Sequence, residues 1–425
     1  MNYRLLVLIL FLAVGCSQSP TAGDAGGEDA DIVDMGHDHD TERQVGDVDE
    51  AEEVAARFAT FNVSMYRSGA GELASDLADP AHEQARAAAA ILQEARPDVV
   101  LLNEFDWDPD GEALRLFREN FLEVSQGGRD PIVYEYAFIP EVNTGVASGV
   151  DLDGNGTAVT TPGSEAYGND SLGFGEYPGQ YGLVVLSRFP IAESGIRTFR
   201  TTLWKNVPEN SLPDGHYSEE ALAVLPLSSK THADVPIEIG RGVVHFLVSH
   251  PAPPSFDGPE DRNGRRNHDE IVFWRDYVDA GPDSWHIDDS GIIGGLDGAA
   301  FVIAGDLNAD PNDGDSTNNP ATSLLAHPRV NDTFTPSSAG GQEQAELQGN
   351  ANVRHDGDPA HDTADFNDNT VGNLRIDYVL PSTDLEVAAS GVFWPSADDP
   401  NFDLVGTFPF PVSDHRLVWV DVAVR

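Results

Sequence analysis

The sequence predicts a mixed α/β domain in which strands outnumber helices. Two observations carry this: a strand, helix, strand opening after residue 57, and a series of short apolar runs downstream that end in polar residues. The sharpest such end is Phe301 to Pro311, FVIAGDLNADP, where an apolar run stops at Asp306 and Asn308. Side chains two residues apart on a strand share a face, so this carboxylate and amide are expected to point into one pocket.

Taken in order, Phe58 to Val63 reads as the first strand and Ala81 to Ala95 as an amphipathic, Ala-rich helix. Pro97-Asp98 then turns into a buried strand, Val99 to Leu102. A second helix is expected over Gly111 to Leu122. Strands follow at Ile132 to Ile139, Gly182 to Ser187, Ala221 to Pro226 and Gly242 to Ser249. A helix over Asn267 to Tyr277 precedes strands at Phe301 to Ala304, Leu374 to Leu380 and Leu417 to Val424. Residues 143–180, 279–298 and 310–368 are polar and Gly-rich, and read as long loop insertions within one catalytic domain, 57–425.

Ahead of that domain, Arg4 and the apolar run Leu5 to Val14 read as an export signal over residues 1–16, too short to span a bilayer comfortably. Leu12-Ala13-Val14-Gly15-Cys16 resembles a bacterial lipoprotein signal, in which the cysteine is lipidated. An ordinary secretory signal with an incidental cysteine is the alternative. Both readings export the protein, and the first anchors it in the cell envelope, facing the periplasm or the cell surface. Cys16 is the only cysteine, so no intramolecular disulfide forms. Residues 17–56 hold 13 Asp and Glu against one Arg and few large apolar residues, and read as a disordered acidic tether.

The formal net charge is −48, most of it on residues 57–425, and Lys205 and Lys230 are the only lysines. Such a surface suits a salty exterior and repels polyanions in dilute salt. Nucleic-acid affinity comes mostly from Lys and Arg neutralising phosphates, so long DNA is a disfavoured partner.

Six short segments place polar residues where strands end: Thr60-Phe61-Asn62-Val63, Leu102-Asn103-Glu104, Val248-Ser249-His250, Gly305-Asp306-Leu307-Asn308, Arg375-Ile376-Asp377-Tyr378 and Ser413-Asp414-His415. Each alone fits a turn or a solvated edge. In this order, with Tyr181 to Ile191 between them, they resemble the endonuclease/exonuclease/phosphatase superfamily, which has the deoxyribonuclease I-like fold. The resemblance runs from about residue 57 to the C-terminus, and GDLN and SDH are its most specific parts. It implies a four-layer α/β (α+β) sandwich: two packed, mostly antiparallel mixed β-sheets flanked by helices.

Hard divalent cations such as Mg²⁺ or Mn²⁺ prefer carboxylate and amide oxygens, which makes Glu104 the leading ligand, with Asn62 and Asp414 close to the same ion. Asp306 is expected to orient or deprotonate the attacking water, with Asn308 holding that carboxylate or the phosphate. The resemblance assigns His250 and His415 as donors to the phosphoryl oxygens, and Asp377 as the partner that favours the charged form of His415. Two positions depart from common members: Ser64 replaces an additional Asp, and Asn103 replaces Gln. The first leaves the number of metal ions open.

Two weaker signals complete the reading. Asp151, Asp153 and Asn155, with Gly156, copy the first half of a calcium loop, although position twelve is Pro162. Arg262, Arg265, Arg266 and His268 form the one basic cluster, readable either as a substrate-phosphate contact or as helix-start charges balancing Asp269 and Glu270. The expected function is an exported, metal-dependent phosphoesterase, monomeric, acting on a phosphorylated small molecule, a phospholipid headgroup or nucleic acid, with monoester and diester both open. The alternatives are an extracellular nuclease and, ranked lower, a binding protein of the same fold that has lost its chemistry.

Overall fold

The computed structural model describes residues 53–425; the leader, Cys16 and nearly all of the expected tether lie outside the described residues. Thirteen strands follow in order: β1 (Val54–Met65), β2 (Val99–Phe105), β3 (Tyr136–Phe138), β4 (Leu183–Ser187), β5 (Arg197–Thr198), β6 (His232–Ile239), β7 (Gly242–Ser249), β8 (Phe301–Asp306), β9 (Ala364–Asp365), β10 (Asn373–Leu374), β11 (Asp377–Pro381), β12 (Glu386–Val392) and β13 (Val418–Val424). One sheet runs β12-β13-β1-β2-β4-β3 and the other β11-β8-β7-β6-β5, with β9 and β10 as a separate ribbon. Each large sheet has one parallel pair, β1 with β2 and β7 with β8, and is otherwise antiparallel.

Strand periodicity builds the layers. Along β8, Val302 and Ala304 enter a core shared with Phe58 and Leu101 of the other sheet. Phe301 and Ile303 point the opposite way, into a core with Ile271, Trp274 and Val278 of the helix Arg262–Asp279. The helix Glu83–Ala95, capped at His82, contributes Ala85, Ala88, Ile91 and Leu92 to the first core. The order is therefore helix, sheet, sheet, helix, the four-layer sandwich expected from the sequence.

The differences from the sequence reading have local causes. β1 begins at Val54, inside the segment expected to be tether, because Val54 to Ala56 pair with Val424 to Val422. The segment Ala221 to Pro226 is not a strand: Ser218 Oγ accepts the Ala221 N–H and starts a helical turn, Glu219–Leu222. β6, His232–Ile239, was not among the expected strands and carries Pro236 in its middle. Pro236 falls beyond the short stretch where β5 pairs with β6, so its missing N–H costs no ladder bond on that side. Leu374 to Leu380 divides into β10 and β11, because the Arg375 N–H bonds to Asp310 and the Ile376 N–H bonds to Thr363. The expected helix over Gly111 to Leu122 is α-helical over Glu112–Phe117 and continues as a π-helical turn over Arg118–Leu122, while the strand over Ile132 to Ile139 forms only over Tyr136–Phe138. The long insertions carry short helices of their own, Glu165–Asn169, Pro320–Leu325 and Ala339–Gln348.

Gly305 lets β8 lie against β7. Its φ is 154°, and a Cβ there would sit 2.0 Å from the Ser249 carbonyl oxygen, which is backbone and cannot yield. Gly305→Ala is therefore expected to destabilise the fold by at least about 2 kcal/mol, read as a lowered denaturant midpoint. An unchanged midpoint contradicts the packing described.

Candidate active site

The six polar strand ends come together at one end of the two sheets. Asn62 is on β1, Glu104 on β2, and His250 directly follows β7. Asp306 is the last residue of β8, Asp377 the first of β11, and His415 lies three residues before β13. Neighbouring strands that end at one level place their terminal side chains side by side, and packing the two sheets face to face brings both sets together.

The centre is a single oxygen, Asp306 Oδ2. Asn62 Nδ2 donates to it at 3.1 Å. His250 Nε2 lies 3.3 Å away and His415 Nε2 3.7 Å away. The other oxygen, Oδ1, accepts the Asn308 N–H at 2.9 Å. His415 Nδ1 pairs with Asp377 Oδ2 at 2.9 Å, and Thr363 Oγ1 donates to that same oxygen at 2.8 Å. Thr363 also accepts the Ile376 and Asp377 N–H groups, which fixes the dyad from behind. Thr363 was not legible in the sequence, because it comes from the end of a long polar insertion with no motif around it.

Charge follows from this geometry. Burial opposes ionisation of Asp306, but His415 and then His250 hold its carboxyl well below the usual carboxylate range. Burial also opposes protonation of His415, yet Asp377 and Asp306 outweigh it and raise this imidazole well above its ordinary value. His250 behaves in the opposite way: burial and then the Lys230 ammonium push it down to about 4, so it is neutral at pH 7. Two histidines on one carboxylate thus hold different protonation states. Glu104 is pushed up to about 7, by burial first, with His415 opposing and Asp306 adding to the rise.

Ligand atoms of Glu104, His250 and Asp306 lie within 4.8 Å of one another. Two buried carboxylates around so small a volume suit a divalent cation, which would offset both the burial and the Asp306 charge that raise Glu104. Asn62 differs from its expected role as an oxygen ligand. Its Oδ1 accepts the Ser64 N–H at 3.1 Å and its Nδ2 faces the carboxylates, so it acts as an orienting donor. Asp414 is outside the tight group, 4.0 Å from His415 Nε2 and 40% exposed. Ser64, where some members carry Asp, bonds to Ser413 across 3.0 Å and ties β1 to the SDH segment.

The two-residue spacing of Asp306 and Asn308 does not place both side chains in the pocket as expected. The strand ends at Asp306, and Asn308 adopts φ 52°. Its backbone holds Asp306, while its side-chain amide donates to the Pro251 carbonyl at 3.2 Å.

The basic cluster is structural rather than substrate-facing. Arg266 is buried and donates to the carbonyls of Leu227, Leu172, Pro226 and Ser228. Arg262 pairs with Glu260, Arg265 donates to the Glu260 and Ser211 carbonyls, and His268 pairs with Asp269 at 2.9 Å. Of the balance with Asp269 and Glu270 expected as the alternative, the described residues show only the His268–Asp269 pair; the three arginines take Glu260 and backbone carbonyls instead. In the calcium-like loop, Asp151 and Asp153 lie within 4.8 Å of Asp170, a carboxylate from outside the twelve-residue pattern. Asp151 accepts the N–H groups of Gly154 and Gly156, Asp153 binds Asn155, and Asp170 accepts those of Leu152 and Val159, so the loop satisfies much of its own charge.

A model of the Endonuclease/Exonuclease/phosphatase family matches residues 59–415. Solved structures to which the chain is similar include an endonuclease/exonuclease/phosphatase from Beutenbergia cavernae, 19% identical over 87% of this chain and 72% of that one, with a TM-score of 0.46. Sphingomyelinase C from Streptomyces griseocarneus is 17% identical over 87% of this chain and 99% of its own, with a TM-score of 0.40. Staphylococcus aureus beta toxin with bound magnesium ions is 15% identical over 86% and 99%, with a TM-score of 0.40. None of the curated proteins compared with the chain matches it.

The Asp377–His415 contact predicts a measurable shift. Asp377→Asn removes the neighbouring charge that favours the imidazolium, so the His415 pKa is expected to fall by more than about one unit. An NMR titration of the imidazole checks this, and an unmoved pKa contradicts the pairing.

Proposed function

Because the chain belongs to the endonuclease/exonuclease/phosphatase family, we propose that it hydrolyses a phosphate ester with the help of a divalent cation, Mg²⁺ or Mn²⁺. The observation that carries this reading is the convergence of Asn62, His250 and His415 on Asp306 Oδ2, with Glu104 beside them. An ionised carboxylate held by the Asn62 amide, with the His250 and His415 rings beside it, is suited to align a water in line with a phosphorus centre and to accept its proton. The water oxygen forms the new bond to phosphorus, the ester oxygen leaves with its electron pair, and Asp306 takes the proton. His415, charged and braced by Asp377 and Thr363, donates to the phosphoryl oxygens as negative charge grows there. Neutral His250 donates through Nε2 without adding charge. Glu104 leads the ligand set for the cation, which supplies positive charge to the phosphate when bound.

A small ester is favoured over long nucleic acid as substrate. The chain carries a formal charge of −48, and the arginines of its basic cluster are engaged with Glu260 and backbone carbonyls. We place the enzyme at the cell envelope, held through Cys16. No helix among the described residues is long and apolar enough to cross a membrane.

The test assays the purified protein on a phosphodiester, a phosphomonoester and plasmid DNA, with Mg²⁺, Mn²⁺ or Ca²⁺ added or EDTA present. Turnover is expected to depend on Mg²⁺ or Mn²⁺ and to fall by at least about 100-fold in Asp306→Ala and in His415→Ala. Turnover that survives EDTA and both substitutions sinks the proposal. Separately, Cys16→Ala is expected to move the protein from the membrane fraction to the soluble one; a variant that stays with the membrane contradicts the lipid anchor.

A further inference from the structure

Lys230 is one of only two lysines among 24 basic residues, and the chain buries it. Its position follows from register. β6 pairs His232 with Ser249 of β7, so the residues preceding β6 run alongside those following β7, and Lys230 arrives opposite Pro251. There Nζ donates to the Pro251 carbonyl at 3.3 Å. The Asn308 side chain donates to the same carbonyl at 3.2 Å, which places the ammonium beside the turn that holds Asp306.

An ammonium has three donors, and this one uses a single protein acceptor. Among the described residues no carboxylate pairs with it at ion-pair distance. Glu270, the buried carboxylate that interacts most strongly with it, is already held by the Ser229 N–H at 2.6 Å, the Ser229 hydroxyl at 2.9 Å and the Ala252 N–H at 2.7 Å. A buried cation left without a counter-ion is costly unless an anion completes it. Burial lowers the proton affinity of Lys230 and outweighs the opposing charges of Glu270, Glu104 and Asp306.

We propose that Lys230 is an oxyanion-binding residue of this site, whose free N–H groups take a non-bridging oxygen of the substrate phosphate on the His250–Pro251 side. This rests on the phosphoesterase reading and adds to it a fixed protein cation on the substrate phosphate. It also accounts for a lysine where the chain otherwise uses arginine. A compact ammonium fits between Pro251 and Asn308 and directs its donors individually, whereas a planar guanidinium needs a wider slot.

The scarcity of lysine makes a direct test available without any variant of the site. Protein labelled with 13Cε-lysine gives two lysine signals, assigned by Lys205→Arg, and inorganic phosphate is titrated in the presence of Mg²⁺. The expected result is a saturable shift of the Lys230 signal alone, together with phosphate affinity at least tenfold weaker in Lys230→Met. A Lys230 signal that stays still at saturating phosphate overturns the proposal, as does phosphate binding of equal strength in Lys230→Met. Ester turnover is measured on the same sample. Turnover with a silent Lys230 defeats this assignment alone, while a responsive Lys230 without turnover of any ester defeats the phosphoesterase reading alone.

Discussion

Everything at the candidate site depends on keeping one buried carboxylate ionised. Asp306 is almost without solvent, and a lone carboxylate in that position would take up a proton. It is held charged by an imidazolium on one side, an amide and a neutral imidazole on the others, and a backbone N–H on its second oxygen. These donors come from β1, the segment after β7, the turn after β8 and the segment before β13, so the charge exists only when both sheets are in register. The local chemistry therefore inherits its precision from long-range packing, and removal of the His415 partner leaves a buried charge uncompensated at a cost of about 3–5 kcal/mol.

The sheets meet this demand through two devices. Alternation along β8 gives one face to the inter-sheet core and the other to the helix Arg262–Asp279, which locks the strand from both sides. Gly305 then removes the side chain that would hold β8 off the Ser249 carbonyl. Together they deliver Asp306 to within hydrogen-bonding reach of a strand from the opposite sheet. The protonation split between His250 and His415 needs no further device. One ring has a carboxylate on each of its nitrogens, and the other faces Asp306 on one nitrogen while its Nδ1 is buried with no hydrogen-bond partner.

Much of this was legible in the sequence, because strand ends are local: an apolar run followed by Asp, Glu or His marks both the element and its likely end. Asn62, Glu104, His250, Asp306, Asp377 and His415 stand at such ends, and their order as a set, which carries the family resemblance, singles them out. What could not be read is the orientation of groups set by partners far along the chain. Asn62 turns its oxygen toward Ser64, Asn308 turns its side chain toward Pro251, and Thr363 reaches Asp377 from an insertion without pattern. The Arg262 to His268 cluster shows the converse failure, since charge density in sequence says nothing about which carbonyls a guanidinium will meet. Lys230 had a signal, its rarity, but rarity alone did not point to a place.

The position of Thr363 has a consequence for how this fold can diversify. It closes the 310–368 insertion and also sets the hydrogen bonding of the Asp377–His415 pair. A change in the length or path of that loop, the ordinary route by which a scaffold acquires a new specificity, therefore reaches the acidity of the central imidazole. A graft that ends before residue 363 removes the hydroxyl that holds Asp377 against His415.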